Sequence, residues 1–255
     1  MKNDAAISSA RDPAKTPAYY RAYIARMEEQ LDLEISTGNP VAFLTGGDYC
    51  IRMGRAAYSA GGPVSDCRAY LKRSAGFQVR YYTEGVKSKL TSLWQIEEYL
   101  EGFSAAYLAG DSAEVISSFN RVKPDRMHSW DRALLGALET LLLGRPGTPD
   151  EEGTSAAGKI REFASLPGLF DAVERRDMTA FTDSLENYAT KSWGPPADRV
   201  AKKALSQVHP NHSGKWSFFC AAICSVMGGV PRLSKKALQY VPVELVARDM
   251  PHRAA

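Results

Sequence analysis

The sequence predicts an all-α fold, an irregular bundle of antiparallel helix hairpins with no significant sheet. Three observations lead there. Apolar residues recur at steps of three and four along most of the chain, the period of a helix with one buried face. No alternating stretch survives beyond about five residues, and neither Asn-Gly nor Asp-Gly occurs to turn a β-hairpin. The Gly- and Pro-containing breaks are short enough to fold each helical stretch back on the last. With 255 residues, 44% of them hydrophobic and 24% charged, the chain can bury a sizeable core and is neither collagen-like nor mostly disordered.

The elements follow in order. The first 15 residues read as loose chain. Thr16-Pro17 then offers an N-cap and a proline at the first helical position. Tyr20, Tyr23, Ile24, Met27, Leu31 and Ile35 line one side of that first helix, and Ser36-Thr37-Gly38-Asn39-Pro40 stops it. A second helix is expected over about 42–60, and Gly61-Gly62-Pro63 breaks it. A third follows over about 64–84. A further helix is expected over 90–109, with Leu93, Ile96, Leu100, Phe103 and Tyr107 on one side. Asp111-x-x-Glu114 resembles a capping box for the next helix. Ser129 is expected to cap a central helix over 130–143, apolar on most sides.

The stretch 144–158 reads as a loop dividing an N-terminal helical half, 1–143, from a C-terminal one, 159–255, together expected to form one unit. Beyond it, Ile160 to Phe163 is expected in a helix. Helices over 169–175 and 178–191 form a hairpin turning at Arg176-Asp177. Gly194-Pro195-Pro196 is expected to break the chain before a short basic helix over 199–208. A compact apolar helix over 216–227 and a short one from about Ser234 complete the bundle. Helix-turn spacings are irregular, which argues against a solenoid.

Net charge is +3, but its distribution is uneven. Residues 1–85 carry +2, residues 86–190 carry −6 and residues 191–255 carry +7. The two ends of this dipole are expected to attract each other or to face solvent separately. The basic residues Lys202-Lys203, Arg232 and Lys235-Lys236 are expected to pair with the acidic middle rather than to bind nucleic acid. No apolar run approaches the roughly 18 residues of a membrane span, so no membrane partner is expected. Four cysteines and no hydrophobic leader suggest a cytoplasmic protein.

Catalytic signatures are missing from the sequence. Walker A, G-x-G-x-x-G, G-x-S-x-G and H-E-x-x-H patterns do not occur. The best metal candidate is His209-x-x-His212 with Cys220-x-x-x-Cys224, which puts two thiols at i, i+4 on one helix face. The cysteines lie among Phe218, Phe219, Ala221, Ala222 and Ile223, so core packing is the expected role, with no metal and no cofactor. Trp216, Tyr240 and Pro242 are expected to serve packing. The chain is expected not to be an enzyme; a metal-dependent enzyme and a generic helical adaptor are the alternatives.

Three stretches together resemble the PoNi-type immunity proteins. They are Arg11-Asp12-Pro13-Ala14-Lys15-Thr16 with Tyr19-Tyr20 and Tyr23-Ile24; Ala57-Tyr58-Ser59-Ala60-Gly61-Gly62 leading into Cys67-Arg68-Ala69-Tyr70-Leu71; and Gly214 to Ala222 followed by Tyr240-Val241-Pro242-Val243-Glu244-Leu245-Val246. A second helical immunity family, with a similar C-terminal Tyr-x-Pro segment, is a close rival. Phe219-Cys220 departs from the first family, which tends to carry an acidic residue in its Trp helix. The resemblance implies an all-helical cytoplasmic protein that binds a polymorphic toxin, often one delivered by type VI secretion, and blocks it. PoNe-type toxins, the partners of that family, are DNases. The expected contacts with the toxin's C-terminal domain are Asp150, Glu151 and Glu152 in the long loop, and Asp171, Glu174, Asp177, Asp183 and Glu186 on the hairpin after it.

Overall fold

The computed structural model describes residues 16–87, 89–90, 96–144, 150–160, 163–203 and 213–246. These form helices that pack against one another, and no strand occurs among the described residues. We number the helices α1 Pro17–Ser36, α2 Val41–Ser59, α3 Val64–Arg80, α4 Ile96–Ala109, α5 Ser112–Val122, α6 Ser129–Leu143, α7 Glu151–Gly158, α8 Leu166–Glu174, α9 Met178–Asn187, α10 Gly194–Lys203, α11 Phe218–Val226 and α12 Lys235–Leu238. Two π-helical turns, Tyr81–Gly85 and Tyr188–Trp193, follow α3 and α9, and a 3₁₀ turn spans Val243–Leu245.

The first three helices form an up-down-up layer. The Thr16 hydroxyl caps α1 by accepting from the Tyr19 N–H at 3.3 Å, with Pro17 at the first helical position. Tyr20, Tyr23, Met27 and Leu31 on α1 bury themselves against Cys50, Met53 and Ala56 of α2. α3 lies close on α2 because Gly54 lacks a side chain: a Cβ there would sit 3.0 Å from Leu71 Cδ2 and 3.3 Å from the Cys67 carbonyl oxygen.

α4 passes from this layer into the main core. Tyr82 and Tyr99, together with Phe103, surround Phe119 of α5 with ring centroids 5.0–5.4 Å apart, Tyr82 and Phe103 edge-on and Tyr99 tilted, arrangements that the ring quadrupoles favour over a face-to-face stack. α6, with Leu134, Leu135 and Leu138 buried, and α11, buried from Phe218 to Ser225, complete it. The core runs without interruption from Tyr58 to Val246, so residues of both predicted halves share it. A small separate cluster, Ala189, Ala237 and Tyr240, holds the C-terminal segments together.

Several expectations are corrected. The stretch 144–158 is not all loop: Asp150 caps α7, which occupies Glu151–Gly158, while 145–149 lie outside the described residues. Asp111 makes no side-chain cap to α5, so the capping box does not form. Ile160 and Phe163 lie in turns rather than a helix. The first 15 residues, Leu93 and residues 204–212 lie outside the described residues. Gly194-Pro195-Pro196 does not break the chain but opens α10. The π turn before it explains why: the Gly194 N–H reaches back five residues to the Ala189 carbonyl, and proline is tolerated in a first turn whose N–H groups need no helical acceptor.

Two predictions follow from this packing. A Cβ at residue 194 would lie 2.8 Å from both the Ala189 oxygen and Tyr240 Cζ. Gly194→Ala is therefore expected to cost about 1–3 kcal/mol of stability, measured by urea unfolding. The second concerns pH. Burial pushes the Cys50 and Cys67 thiols and the Tyr23 phenol each up to about 12. The folded protein keeps these protons where the unfolded chain has begun to lose them, the thiols from about pH 8.5. Stability should hold below that pH and fall as pH rises towards 12, and the buried thiols should resist a disulfide reagent at pH 8 until denaturant is added.

Candidate functional site

The α8–α9 hairpin carries most of the acidic residues singled out from the sequence. Its inner side is apolar: Leu166, Leu169, Phe170 and Val173 from α8, and Phe181 and Leu185 from α9, are buried. The turn between the helices is tight. Arg176 adopts a left-handed conformation, φ 57°, and its guanidinium donates to the Val226 carbonyl at 2.6 Å. That bond ties the turn to the end of α11. The outer side of the hairpin therefore sits on a fixed backbone.

The eight acids divide by what they touch. Asp150 caps α7, accepting from the Gly153 N–H at 2.9 Å. Asp177 caps α9, accepting from Thr179 and Ala180 N–H, both at 3.0 Å. Glu186 accepts from the Ser234 N–H at 3.0 Å and from its hydroxyl, and so anchors the start of α12. Asp171 pairs with Arg175 one turn on, at 2.9 Å, with both side chains largely exposed. Glu152, Glu174 and Asp183 are exposed and bond to no other described residue. Glu151 opens α7, and its side chain lies outside the described residues. The structure thus brings Asp171 and Glu174 to one face of α8, three residues apart, with Asp183 on the antiparallel α9.

The residue that reasoning from the sequence missed is Glu101. It lies within α4 and is 8% exposed. One carboxylate oxygen pairs with the Arg55 guanidinium at 2.6 Å. The same oxygen accepts from the Phe218 N–H at 2.9 Å; the other accepts from the Phe219 N–H at 3.2 Å and from the Ser217 hydroxyl. A carboxylate at the first turn of α11 answers both the orphan N–H groups and the positive end of that helix. Arg55 in turn faces the rings of Trp193, Trp216 and Phe218 at 5.3–5.8 Å. The available signal was that α4 is apolar on most sides. A carboxylate inside such a helix must be partnered.

Cys220 and Cys224 are fully buried, and burial raises both thiols. They serve as core packing, as expected. His209 and His212 lie outside the described residues, and no group of three potential metal ligands occurs among the described residues. Trp216 and Tyr240 are buried and each finds one polar partner, Ser59 at 3.1 Å and Asp198 at 2.9 Å. The expected pairing of the basic end with the acidic middle is not seen among the described residues, where no ion pair joins a cation of 191–246 to an acid of 86–190. No helix of the described residues is long and apolar enough to cross a membrane. Comparison with family models, with curated proteins and with solved structures finds no match to this chain.

The Arg55–Glu101 pair yields a direct test. Truncating one partner strands the other charge in the core, so Glu101→Ala or Arg55→Ala should each lose about 3–5 kcal/mol in urea unfolding. The double variant Arg55→Met, Glu101→Leu should lose clearly less than the sum of the two.

Proposed function

We propose that this chain is an immunity-type inhibitor that binds a cognate bacterial toxin domain stoichiometrically in the cytoplasm and does no chemistry of its own. The observation that carries the reading is the outer side of the α8–α9 hairpin. It presents Asp171, Glu174 and Asp183 on a backbone fixed by core packing and by the Arg176–Val226 bond. The resemblance to PoNi-type proteins supplies the partner class: a type VI-delivered toxin's C-terminal domain, with a DNase as the form that resemblance suggests.

The physical argument is electrostatic. A nuclease cleft is built to hold phosphates, and carboxylates on a rigid scaffold can occupy the same positions without being cleaved. Complementary charge also speeds encounter, an effect that salt screens. Asp150, Asp177 and Glu186 have a different task in this reading. They hold helix ends, so they shape the face without supplying its field.

The deciding experiment is co-expression of the C-terminal domain encoded by the neighbouring gene, with and without this chain, scored by toxicity, survival and co-elution. Within that complex, Glu174→Lys with Asp183→Lys is expected to slow association about tenfold at low salt, with the difference fading in high salt. Stopped-flow binding checks it. Unchanged rates and salt dependence would move the interface off the hairpin. Asp177→Ala should instead lower stability by about 1 kcal/mol through loss of the cap.

A further inference from the structure

We propose that the exposed side of α10, together with the start of α12, binds the phosphate backbone of double-stranded nucleic acid. This reverses the expectation that the chain has no nucleic-acid partner, and it stands independently of the inhibitor reading. Arg199, Lys202 and Lys203 are exposed and spaced i, i+3, i+4, which puts them on one face of α10. The opposite side is held inward: Ala201 is buried, and Asp198 accepts from the Tyr240 hydroxyl at 2.9 Å. Lys191, on the π turn that leads into α10, is exposed as well. α12 packs against that same turn.

Lys235 and Lys236 occupy the first two positions of α12. Two acids of this unit are already engaged. Asp198 also meets the Lys215 ammonium at 3.2 Å, and Glu186 is held by Ser234. None of the exposed cations named here, nor Arg232, forms an ion pair with a described acid. Among the described residues, these cations therefore stand on this unit without an acidic partner.

The surroundings narrow the partner. A membrane surface would want large apolar side chains to insert, but the exposed ones among the described residues, Leu33, Ile35, Val41 and Met178, belong to other helices. A single strand would want exposed aromatic platforms, yet Trp193 is half-buried with its indole N–H given to the Lys215 carbonyl at 2.6 Å. Cations without apolar or aromatic anchors suit a regular array of phosphates, the charge pattern of a duplex.

The test is fluorescence anisotropy with a labelled duplex of about 20 base pairs, at about 50 and 200 mM salt. Binding is expected in the micromolar range at the lower salt and should weaken on the order of 100-fold or more at the higher, as release of several counterions requires. Lys202→Glu with Lys203→Glu, or Lys235→Glu with Lys236→Glu, should each weaken it at least tenfold and flatten the salt slope by about 2. All four side chains are exposed, and an unchanged melting temperature would show that each variant still folds. The acid reversal Asp171→Lys with Glu174→Lys should not weaken it. No binding at low salt would overturn the proposal, as would binding that the lysine reversals leave intact. Capture by phosphatidylglycerol vesicles without duplex binding would also overturn it and assign the face to a membrane.

Discussion

A single buried carboxylate joins the two ends of this chain. Glu101 reaches from α4 to Arg55 on α2 and to the first turn of α11, so three elements far apart in sequence share one charge. Nearby, the Trp216 indole reaches Ser59 on α2, and the Ser217 N–H donates to the Tyr240 carbonyl at 3.0 Å. α11 is almost entirely apolar and could slide along α4 on hydrophobic contact alone. The carboxylate sets its depth, because only one position satisfies the N–H groups and the guanidinium together. This is a role for a buried ion pair in specifying arrangement rather than adding stability.

Around that joint the molecule separates its charges. The N-terminal layer pairs some of its arginines internally, as in Arg52–Asp48 and Arg73–Glu28. Acids face outward on α8 and α9, and cations face outward on α10 and α12. The π turn Tyr188–Trp193 lies between the two regions. Across α8, α9, α10 and α12, exposed acids and exposed cations thus lie on different helices.

The helices were largely legible because their signals are local. Thr16-Pro17, the apolar stripe of α1 and the glycine stops need no knowledge of the rest of the fold. Errors fell where tertiary context decides. Pro195 and Pro196 read as a break, but a wide turn ahead of them lets the helix resume. Asp150 read as a loop acid and proved to be a cap, since its helix is short and polar and shows no stripe. The same limit applies to the site. That acids cluster on 171–183 is visible in the sequence; that Asp177 and Glu186 are occupied by backbone and serine partners is not. Glu101 was hidden because its partners lie 46 and 116 residues away.

The two π turns bear on how this chain tolerates changes in length. A π turn is an α-helix holding one residue too many. Removing a residue from an ordinary helix rotates everything after it by about 100° and misaligns its buried stripe. Within Tyr188–Trp193 the same deletion would relax the helix into regular geometry and change the direction in which α10 leaves it. The extra residue acts as a phase adjustment, retained for the direction in which the next helix points.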